Sequence, residues 1–307
     1  MIALILAKKI LSLFLIMGMG VILVKTKLLK SQDSKVLSLI MLYVIQPCVI
    51  ISAFQVDYTP QIRDGLIMAV LAAVIMHIML IAAASLFGRL LSWDPVEKCT
   101  AIYSNAANLI IPIVTAMLGK EYVIYTSAFL CVQIILLWSH CKMTLCGEKK
   151  IDVKKILTNV NMISIGIGIV LFFLRISLPA LIEDTFDSVS AMVGPSGMLV
   201  TGMLIANMDL KKLLSYKRLP MMVLFRLILF PGMNILVLKL IGLARMVPDG
   251  QTILMISCLA TMTPSASTIT QMAQIYDKDA DYASALNVAT TLLCILSMPL
   301  MILFYQM

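Results

Sequence analysis

Apolar residues fill this chain in continuous blocks separated by short polar links. There is no sustained alternation of apolar and polar positions, so membrane-barrel strands are not expected. Blocks of about 20 mostly apolar residues match the thickness of a bilayer when wound as helices. The sequence divides into ten: 5–24, 34–54, 64–88, 97–117, 122–145, 156–175, 186–207, 219–241, 251–272 and 281–305. The longest polar connection, 146–155, falls at the midpoint. The first block continues past Lys8 and Lys9 to Val24 without a small-residue cleavage site, so it reads as a retained helix. The expected fold is an all-α polytopic membrane protein.

Composition agrees with that pattern. Hydrophobic residues make up 61% of the chain and charged residues 13%, against about 25% charged in soluble domains. The charges are not evenly spread. Sixteen Lys and Arg fall in the links after blocks 1, 3, 5, 7 and 9, and only Arg63, Lys120, Arg175 and Arg245 fall on the opposite side. By the positive-inside rule, both termini face outward and the central loop faces the cytoplasm of a cell membrane. The net charge of +8 therefore reflects topology, and nucleic-acid binding is not expected.

Five blocks on either side of the midpoint would have opposite orientations, as in an inverted repeat. Landmarks recur in order. Gln46-Pro47 is echoed by Gly194-Pro195, Pro112 by Pro264, and Glu121-Tyr122 by Asp281-Tyr282. The expected organisation is a first repeat over 1–145, a cytoplasmic linker over 146–155 and a second, inverted repeat over 156–307.

Two stretches stand out inside apolar blocks. One is NAANLIIP, Asn105 to Pro112; the other is TMTPSAST, Thr261 to Thr268. Asn105 and Asn108 are three apart and share a helix face. Pro112 and Pro264 each remove a backbone donor. Broken helices and polar side chains at membrane depth are tolerated where they face protein or a water-filled cavity. The two breaks are expected to meet and form a substrate site from Asn105, Asn108, Pro112, Thr263, Pro264, Ser265 and Ser267, with Gln46 beside the repeated proline. The plainer reading is helix-to-helix hydrogen bonding and close packing. No Asp or Glu lies well within any block, which disfavours a carboxylate-rich cation site and favours an anionic substrate held by amides, hydroxyls and helix N-termini. Arg226 lies inside the eighth block, five residues before Pro231. It either snorkels to the interface or lends positive potential to an anion path. His77, in the third block, either titrates in proton coupling or is a hydrogen-bonded core residue.

No enzyme is indicated. GxSxG, HExxH, P-loop and dinucleotide fingerprints are all absent. The seven cysteines include no CxxC pair, and the His140, Cys141, Cys146 group has neither a fourth ligand nor metal spacing. No metal and no cofactor are expected.

At these residues the chain resembles the auxin efflux carrier (PIN-like) family, in its bacterial form, within the bile-acid/auxin-type transporter superfamily. Asn105 and Pro112 match the fourth-span Asn and Pro, with Ile110 where the family carries Gly. Pro264 in TMTPSAST, Arg226 and Pro231 in RLILFP, Pro47 in YVIQP and the stretch GPSGMLVTGMLIA match in order. The resemblance implies ten helices with crossed, broken helices 4 and 9. Helices 1, 2, 6 and 7 would form a scaffold and homodimer interface, and helices 3–5 and 8–10 a moving transport domain. It implies an efflux carrier for a small organic anion, a carboxylate, working by elevator-type alternating access with a proton, sodium or no coupling ion. The alternatives are a sodium-coupled organic-anion symporter of bile-acid-transporter type and a non-transporting membrane ligand sensor. A channel is a further option.

Overall fold

The structure is a computed structural model that describes residues 2–147, 153–206, 213 and 215–307. Residues 148–152 of the expected linker lie outside the described residues. The described residues are helical almost throughout. Their one β-type pairing is an isolated antiparallel bridge between Ser104 and Ser265.

The helices, in order, are α1 (Ile2–Lys25), α2 (Ser31–Ala53), α3 (Pro60–Leu90), α4 (Pro95–Ile102), α5 (Ala106–Met117), α6 (Lys120–Leu145), α7 (Val160–Leu174), α8 (Ala180–Ile205), α9 (Leu219–Ile241), α10 (Gly250–Met262), α11 (Ser267–Ile275) and α12 (Ala280–Gln306). Six of them, α2, α3, α6, α8, α9 and α12, are long and apolar enough to cross a membrane. The other apolar stretches, Ile10–Lys25 within α1, Asn108–Met117, Val160–Leu174 and Gly250–Met262, are shorter, and two of the expected spans, 97–117 and 251–272, are each divided into a pair of half-helices.

Local chemistry sets the ordinary helix starts. The Thr59 side chain accepts from Ile62 N–H, Asp94 from Glu97 N–H, Asn159 from Asn161 and Met162 N–H, and Asp279 from Tyr282 N–H. These caps satisfy N–H groups that a helix start leaves without partners. Pro60 and Pro95 occupy first-turn positions, where their missing N–H costs nothing.

Small residues set the tightest packing. Gly20 of α1 and Gly202 of α8 meet so closely that a Cβ on Gly20 would stand 2.5 Å from the Leu199 carbonyl oxygen. Such close backbone approach is the usual device where the surrounding solvent is as apolar as the side chains. Gly194 and Gly197, also on α8, lie against α5. A Cβ on Gly194 would be 3.0 Å from Pro112 Cβ, and one on Gly197 would be 3.4 Å from Asn108 Cβ.

At one end of the molecule a buried carboxylate ties α4 to α9 and α12. Glu97 is 0% exposed. It accepts from Arg218 Nη1 at 3.0 Å, Tyr282 Oη at 3.0 Å and Asp94 N–H at 3.0 Å. Arg218 also donates to the Ser92 carbonyl at 2.9 Å and to the Leu91 carbonyl, closing the turn between α3 and α4. Elsewhere, Lys120 at the start of α6 reaches Asp187 of α8 at 2.6 Å, and Ser52 Oγ of α2 donates to the same carboxylate at 2.6 Å.

Candidate functional site: two interrupted helices joined at their breaks

The break in the fourth span lies at Tyr103–Asn105, not at Pro112. Tyr103 is extended (ψ 130°) and ends α4. Short polar side chains such as Ser104 and Asn105 compete with helical hydrogen bonding, which suits them to this unwound position. Pro112 sits inside α5, and the helix runs through it. Its ring rests on Gly194, and its missing N–H leaves the Asn108 carbonyl without the usual helical donor. Ile110, where the resembling family carries Gly, is helical and fully buried.

The second break has a direct cause in Pro264. The residue before a proline is pushed out of the helical region, and Thr263 is accordingly extended (ψ 159°) at the end of α10. Helix resumes at Ser267 after an extended Ala266.

The breaks supply each other's hydrogen bonds. Asn105 N–H donates to the Pro264 carbonyl at 2.8 Å, and Ala266 N–H donates to the Tyr103 carbonyl at 3.0 Å. Ser104 and Ser265 are the facing pair between these two bonds. Each then has its own backbone served from a neighbouring helix. Gln133 of α6 accepts from Ser104 N–H at 3.1 Å and donates to the Ser104 carbonyl at 2.9 Å. Thr290 of α12 accepts from Ser265 N–H at 3.1 Å, and Asn287 donates to the Ser265 carbonyl at 2.6 Å. Ser104 and Ser265 are both buried; unpaired backbone there would cost several kcal/mol per group, and these contacts remove that cost.

Four half-helix ends therefore converge. The C-terminal ends of α4 and α10 approach Arg226, which is 0% exposed. Its Nη1 donates to the Ala101 carbonyl at 3.2 Å, and its Nη2 to the Thr263 carbonyl at 2.8 Å and the Pro264 carbonyl at 3.5 Å. The guanidinium thus faces inward and does not snorkel to the interface, which corrects one of the two expectations for it. Arg226 lies in a π-helical turn, Phe225–Leu229, just ahead of Pro231. A turn of that kind inserts an extra residue and re-aims a side chain.

The N-terminal ends of α5 and α11 are differently furnished. Neither has a side-chain cap. Ala266 has no group to cap with. Asn105, a residue type that commonly caps, turns its amide away: Nδ2 points to Ser267 Oγ at 3.4 Å, and Oδ1 accepts from Asn108 Nδ2 at 3.1 Å. Asn287 Nδ2 also reaches Ser267 Oγ at 3.5 Å. Asn105, Asn108, Ser267, Thr268 and Asn287 are all half-buried, whereas Thr261, Thr263 and Ser265 are buried. The accessible polar face is thus the one at the two uncapped N-termini.

The expected site residues divide accordingly. Asn105, Asn108 and Ser267 come together. Gln46 joins them, donating through Nε2 to Asn108 Oδ1 at 3.0 Å. Pro264 and Ser265 contribute backbone to the bridge. The Thr263 hydroxyl donates to the Ala260 carbonyl of its own helix at 2.9 Å. Pro112 stands beside the group as a packing residue against Gly194. His77 is fully buried in α3; Nδ1 is 2.7 Å from the Ala73 carbonyl, and the ring lies 4.9 Å from that of Phe129. His140 Nδ1 lies 2.8 Å from Tyr103 Oη, under the first break.

Some participants were not singled out in the sequence. Asn161 of α7 donates to Gln46 Oε1 at 2.8 Å, extending the amide chain to Asn161, Gln46, Asn108, Asn105 and Ser267. Gln133, Asn287 and Thr290 serve the breaks as well, and nothing in their local sequence sets them apart from any other amide or hydroxyl in an apolar helix.

A search of curated proteins returns no significant match. A model of the membrane transport protein family matches residues 5–155 and 143–302, which together take in nearly the whole chain. That family is one of transporters, which are generally not enzymes, and it accords with the apolar, multi-pass helices described above. The chain belongs to the membrane transport protein family.

Proposed function

We propose that the protein is a secondary carrier for a small organic anion, a carboxylate, which binds at the uncapped N-termini of α5 and α11. The observation that carries this reading is the missing pair of caps. Each helix N-terminus presents about half a positive charge, and these two are brought to one place by the Ser104–Ser265 bridge. The side chains around them, Asn105, Asn108, Ser267 and Asn287, are neutral donors. A carboxylate satisfies both the free N–H groups and the positive potential, whereas a cation satisfies neither.

The movement we propose is of the elevator type in an inverted-repeat fold. Helices α3–α6 and α9–α12 form the mobile body, with α4/α5 and α10/α11 crossing at their breaks; α1, α2, α7 and α8 form the scaffold and the homodimer contact. Gly194 and Gly197 give α5 a smooth surface on α8. With both termini outside and the central loop in the cytoplasm of the cell membrane, a monoanion leaving the cell gains about 2.3 kcal/mol per 100 mV, inside negative. Efflux down that gradient needs no second ion.

The test is thermal unfolding of the purified protein with a panel of mono- and dicarboxylates and their neutral amides. A ligand at 100 times its dissociation constant adds about 2.7 kcal/mol. Stabilisation by a carboxylate and not by its amide is expected. Equal shifts from both, or none from any carboxylate, would count against an anion site.

A further inference from the structure

We infer that Arg226 is a built-in cation, holding the position at the paired breaks that a coupling cation would otherwise need. The inference deepens the carrier reading and rests on it for the transport assay.

In carriers with interrupted helices, cations are held by unwound backbone carbonyls and by the C-terminal ends of half-helices. This protein has both, at one place. Ala101 belongs to the last turn of α4, and Thr263 caps the end of α10. Their carbonyls and that of Pro264 all point at one group, the Arg226 guanidinium. Arg226 is wholly buried, and among the described residues no carboxylate pairs with it.

The charges balance without an acid. Two helix C-termini present about half a negative charge each. Together they offset about one guanidinium charge. The cradle therefore has no negative potential left over for a sodium ion, and its oxygens are already engaged. A planar guanidinium suits this geometry, since it directs several N–H groups to separate acceptors at once. With the C-terminal ends neutralised, the positive N-terminal ends of α5 and α11 remain for the anion. Arg226 is in this sense a positioning residue: it joins α4, α9 and α10 at the break without belonging to the accessible face.

Carboxylate uptake into proteoliposomes, with sodium or with choline as the only external cation, tests the inference. Wild-type flux is expected to differ less than twofold between the two. Arg226→Ala is expected to lose at least nine-tenths of its flux in choline. Low-millimolar guanidinium should restore part of it, and urea, of similar shape but neutral, should not. Arg226→Lys keeps the charge and is expected to remain indifferent to sodium. A fivefold or greater sodium requirement in wild type would overturn the inference, as would choline flux in Arg226→Ala equal to wild type.

If no carboxylate moves under any condition, the carrier reading has failed; thermal unfolding still decides the cation question. The wild-type midpoint should be the same in sodium and choline, and a sodium-specific rise there would overturn the inference. If Arg226→Ala does not fold, the wild-type comparison and Arg226→Lys carry the test.

Discussion

Asn105 N–H donates to the Pro264 carbonyl across 2.8 Å, joining two breaks that lie in opposite halves of the chain. Neither break could be formed alone in this buried position without stranding backbone groups. Each is completed by the other, by an amide or hydroxyl from a neighbouring helix, and by Arg226. Four charged or polar devices thus serve a few residues of unwound chain.

The amide of Gln133 serves both backbone groups of Ser104. Gln133→Leu removes both partners, and each buried group left unsatisfied costs about 1–3 kcal/mol. We expect a lower unfolding midpoint than for Gln46→Leu, whose partners are the side chains of Asn108 and Asn161 and not backbone groups. Asn287→Leu should behave like Gln133→Leu, since it strands the Ser265 carbonyl in the other break. A fall in midpoint for Gln133→Leu no larger than for Gln46→Leu would argue against this account of the break.

Glu97 and Arg218 should be unequal partners in mutation. Glu97 is wholly buried, while the Arg218 side chain is 45% exposed. Arg218→Ala leaves a buried carboxylate without its cation, at a cost of about 3 kcal/mol. Glu97→Gln leaves an amide that still pairs with Tyr282, so its cost is smaller. Thermal unfolding of the two single variants and the double variant measures the coupling. A double variant as unstable as the sum of the singles would mean that the pair contributes nothing.

The Lys120–Asp187 contact joins α6 to α8, so in the proposed movement it spans the mobile body and the scaffold. Replacing both with cysteine and joining them by a short bifunctional maleimide should arrest transport. The same reagent on either single variant should leave transport intact. Undiminished flux in the joined protein would show that these helices do not separate during the cycle.

The long helices were legible because apolar runs of bilayer length admit little else. The interruption at Pro264 was legible too, since proline dictates the conformation of Thr263 before it. The first break does not lie at the proline that would suggest it. A proline in the second turn of a helix can be carried through, and Gly194 leaves room for the Pro112 ring. The real break falls where Ser104 and Asn105 exchange helical bonds for contacts with Gln133 and Pro264, partners distant in sequence. The same holds for Asn161: its sequence shows only an amide in an apolar helix, and its role depends on Gln46 being within reach. The sequence leaves two orientations open for Arg226, because a single position in a π-turn decides whether the guanidinium faces outward or meets the carbonyls of α4 and α10.

The central claim is that an anion binds where Asn105 and Ser267 adjoin the two uncapped helix ends. Uptake of a radiolabelled carboxylate by proteoliposomes under an imposed potential, compared for wild type and Asn105→Ala, tests it most directly. A hydrogen bond to a charged group is worth about 1.5–3 kcal/mol. Uptake by wild type and a loss of tenfold or more in Asn105→Ala at low substrate are therefore expected. Equal uptake by the two proteins would contradict the claim.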